Sequence, residues 1–185
     1  KHEHVVFFTS SGHELRYCDP RRFGFMLIAK IENLENHFLL KNLGLEPLSQ
    51  QLSASVLRER LQKFKAPIKN VLLNQKVIAG IGNIYACEAL NLSKISPNRK
   101  ACNVGKKRSK DLVYSIIKVL SSAIKAGGSS LQDFQSPVGE MGYFQKQFRV
   151  YNQEGNYCPN CGTGFPIQRI IQAGRATFFC SNCRR

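Results

Sequence analysis

Four cysteines near the end of the chain have the spacing of a metal site. Two Cys-x-x-Cys pairs, Cys158/Cys161 and Cys180/Cys183, flank a stretch of hairpin-like sequence. Each pair can turn two thiolates toward one ion, and together they supply the tetrahedral set that Zn²⁺ prefers. Because four sulfurs leave no open coordination position, we predict one structural zinc ion. Two disulfides are the alternative, although an odd total of seven cysteines argues against a closed disulfide set.

The sequence between the two cysteine pairs predicts a β-hairpin. Residues 165–172 and 176–179 have strand-like composition, with the turn expected at 173–175. A ribbon of this size buries too little apolar surface to fold alone. Zinc binding, worth roughly 10–16 kcal/mol in comparable sites, would supply the missing stability. The metal is therefore predicted to hold up a hairpin whose tip carries Arg175.

A glycine-containing turn is the second candidate site. Gly80 and Gly82 precede Asn83, which is predicted to cap a helix through Leu92. Free N–H groups at the start of such a helix favour an anion such as a phosphate. A dinucleotide fingerprint is excluded because Tyr85 takes its third glycine position and helices, not a strand, precede it. A packing glycine in an ordinary helix–turn–helix is the remaining alternative.

Two arginines beside an aromatic residue form a third candidate site. Arg21 and Arg22 precede Phe23 between predicted strands. Such a group suits a wedge that fills a gap in a base stack. A solvated turn in which the arginines pair with Asp19 is an equally good interpretation.

Lysines and the overall charge point to a polyanionic partner. The chain has 27 Lys and Arg against 12 Asp and Glu, a net charge of +15. A basic protein kept soluble by its charge is the alternative. Lys63, Lys65 and Lys69 lie where two predicted helices meet, and there contact with a phosphate backbone competes with a solvated helix face. His2 and His4 alternate with Glu3, which suits the rim of an edge strand, and the pair has no third metal ligand nearby.

The elements that position these residues follow from hydrophobic periodicity. Strands are predicted at 4–8, 14–18 and 23–29, and a helix from about Ser53. Pro67 fits the first turn of a second helix through Gln75. The clearest helix, 109–126, has an apolar stripe that we assign to the core: Leu112, Val113, Ile116, Ile117, Leu120 and Ile124. No apolar run approaches the roughly 18–20 residues of a membrane span. No signal peptide is visible, and the cysteine usage favours a reducing compartment.

Eight stretches together resemble the formamidopyrimidine-DNA glycosylase family, the bacterial repair enzymes for oxidised purines, with endonuclease VIII as a close cousin. They are KHEHV, LRYCDPRRFG, LGLEPL, IKNVLLNQKVIAGIGNIYACEAL, GGSSLQDF, GYFQ, VYNQEGNYCPNCG and GRATFFCSNC. The resemblance spans essentially the whole chain and implies an α+β fold. It places the remnant of an N-terminal β-sandwich and a linker at 1–49, a helical domain with a helix–two-turn–helix motif at 50–135, and a lesion-capping loop with a C-terminal zinc-ribbon β-hairpin at 136–185.

The resemblance also implies roles for individual residues. Arg21 resembles the arginine that enters the space left by a flipped nucleotide, and Phe23 the wedge stacked beside it. Arg175 resembles the arginine that grips the phosphates flanking the lesion and assists the second elimination step. The other DNA-contacting positions that it implies are His2, Lys65, Asn83 and Tyr85. Residues 135–143 resemble the loop that closes over the extruded base.

The implied function is base-excision repair. A DNA glycosylase and AP lyase would act on 8-oxoguanine and formamidopyrimidines in double-stranded DNA, in the bacterial cytoplasm and in association with the nucleoid, without a membrane. The family's N-terminal proline, adjacent glutamate and hairpin lysine match no residue here. We therefore expect a fragment that binds DNA without catalysis. A non-catalytic zinc-containing DNA-binding protein of the same family is the alternative, and a zinc-ribbon protein of the translation machinery fits less well. The full-length protein is expected to be a monomer, whereas the fragment's exposed strand edges are expected to recruit other copies.

Overall fold

A computed structural model describes residues 2–129 and 142–183, which belong to two compact units, Lys1–Lys41 and Asn42–Arg185. Within these described residues, the first unit is built on an antiparallel hairpin, and the second contains four α-helices and a three-stranded sheet. The division into three domains stays a prediction. Most of the predicted lesion-capping loop lies outside the described residues.

The hairpin of the first unit pairs strand β1 (Glu3–Phe8) with strand β2 (Glu14–Cys18). The third predicted strand is wrong, because residues 23–29 form no strand. A strand needs a partner for its backbone groups, and the described residues offer this segment none; instead the N–H of Gly24 is bonded to a side chain.

Large apolar side chains of the first unit are exposed. They include Phe8, Leu15, Phe23, Phe25, Ile28, Ile31 and Phe38. A two-stranded hairpin is marginally stable alone and normally needs a further layer on its apolar face. The predicted association of copies through these strands stays a prediction.

The first two helices of the second unit are α1 (Ala54–Gln62) and α2 (Ile68–Leu72). Ser53 caps α1 by accepting a hydrogen bond from the Val56 N–H, 3.3 Å away. Helix α2 ends at Leu72 and not at Gln75 as predicted. The amide of Gln75 instead accepts the N–H of Gly80 at 2.7 Å and donates to a carbonyl of the following turn.

Helix α3 (Asn83–Leu92) and helix α4 (Lys106–Lys125) complete the helical core. Helix α4 begins at Lys106, three residues before the prediction. Its buried side includes Leu112, Ile116 and Leu120. The apolar stripe is therefore only partly core, because Ile117 and Ile124 are 37% and 65% exposed. None of the described helices is long and apolar enough to cross a membrane.

The remaining sheet is a ribbon of strands β3 (Tyr157–Cys158), β4 (Gly162–Gln172) and β5 (Arg175–Cys180). Ala173 and Gly174 form the β4–β5 turn with φ values of 46° and 71°. Positive φ at both central residues is typical of a tight two-residue hairpin turn. Arg175 therefore lies outside the turn, as the first residue of β5, where it pairs with Gln172.

Candidate nucleic-acid interface and metal centre

The four predicted metal-ligand cysteines come together at the base of the ribbon, with all four Sγ atoms within 4.8 Å of one another. Sγ–Sγ distances are 3.4 Å for Cys161–Cys183, 3.5 Å for Cys158–Cys183 and 3.9 Å for Cys161–Cys180. A tetrahedral zinc site with Zn–S bonds of about 2.3 Å has sulfur–sulfur edges of about 3.8 Å. All seven cysteines lie in the described residues and none forms a disulfide. The cluster therefore fits a metal ion, and the disulfide alternative is wrong.

The thiols of this cluster ionise unequally. Desolvation opposes ionisation of Cys158, but the N–H of Asn160 and the Cys183 thiol outweigh it, and the pKa falls to about 7. Burial raises the pKa of both Cys180 and Cys183. The charge of Cys158 acts in the same direction as burial on both Cys180 and Cys183, because like charges this close repel one another. A divalent cation held by these four sulfurs would favour the thiolate form of its ligands.

Helix α3 holds the root of the ribbon through one buried carboxylate. Glu88 accepts the backbone N–H groups of Arg149 (2.9 Å), Val150 (3.0 Å) and Tyr151 (2.8 Å). Burial raises the pKa of Glu88, and these three N–H groups act against that rise. Sequence reasoning missed this residue, although a lone glutamate in an otherwise uncharged helix was the available signal.

Side chains of α2 and α3 hold the tip of the ribbon by hydrogen bonds, and we call these contacts the clasp. The Lys69 ammonium donates to the Thr177 hydroxyl at 2.6 Å and to the Ala176 carbonyl at 3.3 Å. The Asn83 amide donates to the same carbonyl at 2.9 Å. Lys69 is fully buried, so its interpretation as a solvated or phosphate-contacting lysine is wrong. Desolvation lowers the Lys69 pKa, and the nearby charge of Arg175 lowers it further.

This clasp fixes the position of Arg175. The arginine directly precedes Ala176, whose carbonyl Lys69 and Asn83 both hold, and it is exposed. On the opposite strand the Gln172 amide donates to Asn98 at 2.7 Å. The guanidinium therefore projects from a strand end that side chains fasten on both sides.

The turn before α3 keeps an open space beside its backbone. Gly82, and not Asn83 as predicted, is the N-cap, and Asn83 is the first helical residue. The Asn83 side chain does not cap the helix and instead donates a hydrogen bond to the ribbon. A Cβ added at Gly80 or Gly82 would meet nothing within 4 Å. The first N–H groups of a helix have no intrahelical acceptor, so an anion can approach them here.

Two further predicted contact residues lie on the second unit. Lys65 is exposed in the link between α1 and α2, where the carbonyls of Phe64 and Ala66 each accept a backbone N–H from residues 101–102. Tyr85 is half-buried and packs against Phe144, with ring centroids 5.9 Å apart. Part of the Tyr85 ring therefore belongs to the core.

The loop after β2 is organised by one carboxylate. Asp19 accepts the backbone N–H groups of Arg21 (3.1 Å), Arg22 (2.9 Å) and Gly24 (2.6 Å). The Gly24 N–H is the strongest of the influences that lower the Asp19 pKa, while desolvation opposes it. The alternative of a solvated turn paired with Asp19 is therefore confirmed in part: the carboxylate holds the turn through backbone N–H groups, and no ion pair among the described residues joins it to either arginine.

This loop presents the remaining predicted residues. The Arg21 guanidinium lies 5.8 Å from the centroid of the Phe23 ring, which is 82% exposed. The carbonyl of His2 accepts the N–H of Asp19 at 3.0 Å, so His2 lies beside the same loop. The structure thus brings His2, Arg21 and Phe23 together in the first unit.

Comparison with known proteins identifies relatives along the whole chain. The Formamidopyrimidine-DNA glycosylase H2TH domain family matches residues 43–135. Formamidopyrimidine-DNA glycosylase of Beijerinckia indica subsp. indica is 47% identical over 190 residues, which cover 100% of this chain and 66% of the relative.

Two solved structures show the same agreement in three dimensions. The MutM (Fpg) protein from Thermus thermophilus superimposes with a TM-score of 0.89 at 36% identity, covering 99% of this chain and 68% of that protein. A mutant of Lactococcus lactis Fpg in complex with Fapy-dG containing DNA gives a TM-score of 0.89 at 36% identity, covering 100% and 67%. This chain spans about two thirds of the length of its relatives.

The matches confirm the resemblance read from the motifs, and they confirm the α+β fold class with its C-terminal cysteine ribbon. The chain belongs to the formamidopyrimidine-DNA glycosylase family.

Proposed function

We propose that these residues belong to a base-excision repair enzyme, a DNA glycosylase and AP lyase that acts on oxidised purines in double-stranded DNA. The observation that carries the proposal is the bond from the Asn83 amide to the Ala176 carbonyl, 2.9 Å long. Through this bond the turn at the start of α3 and the arginine of the ribbon are fastened side by side. One phosphate backbone can then meet the N–H groups of α3 and the Arg175 guanidinium together.

The electrostatics of the chain support a phosphate backbone as the ligand. A net charge of +15 favours a polyanion, and each neutralised phosphate releases counterions. Lys65 adds an exposed cation, and neither it nor Arg175 forms an ion pair with another described residue. The guanidinium fork of Arg175 can bind two phosphate oxygens at once, which lysine cannot do.

The ion in the cysteine cluster is proposed to be a single structural Zn²⁺. Four thiolates are the ligand set that zinc takes in closed sites. The sulfur–sulfur distances are close to the edge length of about 3.8 Å that tetrahedral Zn–S bonds require. The ion would supply folding energy and no reaction step. Its role is to keep the ribbon, and with it Arg175, in place.

The loop of the first unit is proposed to act on the base stack. An exposed Phe23 can wedge between bases, and Arg21 beside it can occupy the space that a flipped nucleotide leaves. His2 next to this loop is proposed to contact the DNA backbone, and Tyr85 is proposed as a contact of the second unit.

The reaction in the whole protein would begin with attack of an N-terminal proline amine on C1′ and release of the damaged base, followed by two eliminations that nick the strand. The resemblance assigns these steps to a proline, a glutamate and a lysine that match no residue of this chain. Arg175 is the residue here proposed to take part, in the second elimination, by holding the departing phosphate. We therefore propose that these 185 residues bind DNA and do not excise the base.

The proposal is tested with duplexes that contain 8-oxoguanine, Fapy-dG or an abasic-site analogue. Fluorescence anisotropy of the 185-residue polypeptide should show DNA binding, and the logarithm of its binding constant should fall linearly with log salt concentration. Incision assays and borohydride trapping should detect no strand cleavage and no covalent adduct. Absence of binding at low salt would contradict the nucleic-acid function, and borohydride trapping would contradict the assignment of the chemistry to residues outside this chain.

Replacing Asp19 should weaken DNA binding without unfolding the second unit. Asp19→Ala removes the acceptor of three backbone N–H groups, so Arg21 and Phe23 must be ordered when DNA binds. Ordering each residue costs about 1–2 kcal/mol, and since at least one must be ordered we expect binding to weaken by roughly tenfold or more. Glu35→Ala is the matched control, because it removes the same charge from an exposed site of the same unit. Equal anisotropy titrations for the two variants would show that loop order is irrelevant.

A further inference from the structure

The cysteine cluster has polar neighbours besides its own thiols. The side-chain nitrogen of Asn91 lies 3.8 Å from Sγ of Cys183 and 4.0 Å from Sγ of Cys158. The side-chain nitrogen of Asn160 lies 3.7 Å from Sγ of Cys183. These are distances for N–H···S hydrogen bonds. Asn91 is only 5% exposed and belongs to α3, whereas Asn160 lies in the first Cys-x-x-Cys turn.

An arginine fixes which end of each amide faces sulfur. Arg149 donates from Nε to the side-chain oxygen of Asn91 at 3.4 Å and from Nη2 to that of Asn160 at 2.5 Å. A guanidinium only donates, so both amide oxygens must face it and both NH₂ groups must face the thiols. The Asn160 NH₂ also donates to the backbone carbonyl of Asn91 at 3.2 Å. The donors of Arg149 therefore fix the orientation of both amides, whose oxygen and nitrogen could otherwise be exchanged.

Arg149 is itself held from the same helix. Its backbone N–H donates to the Glu88 carboxylate, three residues before Asn91 on α3. The chain Glu88, Arg149, Asn91 and Asn160 thus runs from a buried acid to the sulfur cluster. We call the part formed by Arg149, Asn91 and Asn160 the amide bridge.

We propose that the amide bridge tunes the metal site and ties it to α3. A tetrathiolate zinc site carries a net charge of −2, and N–H donors aimed at sulfur stabilise that charge. The Arg149 cation polarises both amides in the same direction. Asn91, Asn160 and Arg149 are therefore positioning residues, which act on metal retention through Cys158 and Cys183. This inference rests on the zinc ion of the proposed function.

The amide bridge also links the metal site to helix α3, which begins at the turn that we propose binds phosphate. Asn83 and Asn91 are eight residues apart on α3, a rise of about 12 Å along the helix. Asn83 holds the ribbon near its tip, at Ala176, and Asn91 contacts its cysteines. One helix therefore fastens the ribbon at both ends.

The test compares the zinc-loaded chain with three single variants. Asn91→Leu and Asn160→Ala each remove an N–H···S donor, and Asn98→Ala is the control, because its amide bonds to the ribbon at Gln172 and not to sulfur. Zinc affinity is measured by competition with a chromogenic chelator. Loss of a hydrogen-bond partner of a metal ligand typically costs 10–100-fold in metal affinity. We expect a loss in that range for Asn91→Leu and Asn160→Ala and not for Asn98→Ala.

A spectroscopic measurement separates this role from packing. In the Co²⁺-substituted chain, loss of an N–H···S bond makes the thiolate a better electron donor, so its sulfur-to-cobalt charge-transfer band should move to lower energy. Asn98→Ala should leave that band in place. If Asn91→Leu fails to fold, Asn160→Ala decides the matter, since the backbone N–H of residue 160 that contacts Cys158 is retained.

The outcomes are distinguishable. Wild-type protein that binds no zinc would overturn the zinc proposal. Wild-type protein that binds zinc, with variants that keep zinc affinity within twofold and an unmoved cobalt band, would overturn the amide bridge alone.

Discussion

Removing the proposed zinc ion is expected to abolish the tight DNA binding that we propose for this chain. Chelation, or Cys180→Ser combined with Cys183→Ser, leaves the ribbon without the folding energy of zinc, roughly 10–16 kcal/mol in comparable sites. With the ribbon unfolded, Asn83 and Lys69 lose their acceptors on Ala176 and Thr177. We expect at least a 100-fold loss of affinity, about 3 kcal/mol, measured by anisotropy with and without restored zinc.

The helical core should survive this treatment. Its buried residues come mainly from α1 to α4, and the ribbon has a separate cluster around Cys158, Ile167 and Phe178. Hydrogen exchange should therefore become fast in β3–β5 and stay slow in α4. Cys18→Ser is the matched control, since Cys18 is exposed and lies outside the cluster. Normal DNA binding by the metal-free protein would contradict the role given to the ribbon.

The metal site could be predicted because its information is local. Each Cys-x-x-Cys pair is one turn, and the residues between the pairs have strand composition on either side of a turn, so the spacing gave the ligands. The long helix was predictable for a similar reason, since an apolar stripe of 3.6-residue period needs no knowledge of its partner. The prediction failed for Ile117 and Ile124, because the width of the buried stripe depends on what packs against it.

The clasp could not be predicted. Lys69 bonds to Thr177, 108 residues later, and a lysine in a basic stretch gives no sign of such a partner. Asn83 looked like a helix cap because capping is the commonest local use of asparagine at that place. Its side chain serves the ribbon instead. Segment 23–29 has strand composition, but whether it pairs depends on neighbours that a single stretch does not encode.

Replacing Arg175 is expected to weaken DNA binding while leaving the fold intact. The residue is exposed at the start of β5, so Arg175→Ala removes no buried contact. An arginine that binds phosphate through a charge-assisted fork is typical of binding hot spots, and we expect a loss of about 2 kcal/mol, roughly 30-fold. Arg175→Lys keeps the charge but not the fork and should recover only part of that loss. The slope of log affinity against log salt concentration should fall by about 1 for Arg175→Ala.

Arg169→Ala provides the control for this prediction. Arg169 pairs with Phe178 and Arg175 pairs with Gln172, so strand alternation places the two arginines on opposite faces of the same ribbon. Both variants lose one positive charge and should show the same change in long-range attraction. Only Arg175→Ala should lose the additional affinity of a direct phosphate contact. Equal losses for the two variants would mean that the ribbon contributes only its net charge and that the clasp at Ala176 does not aim Arg175 at the DNA backbone.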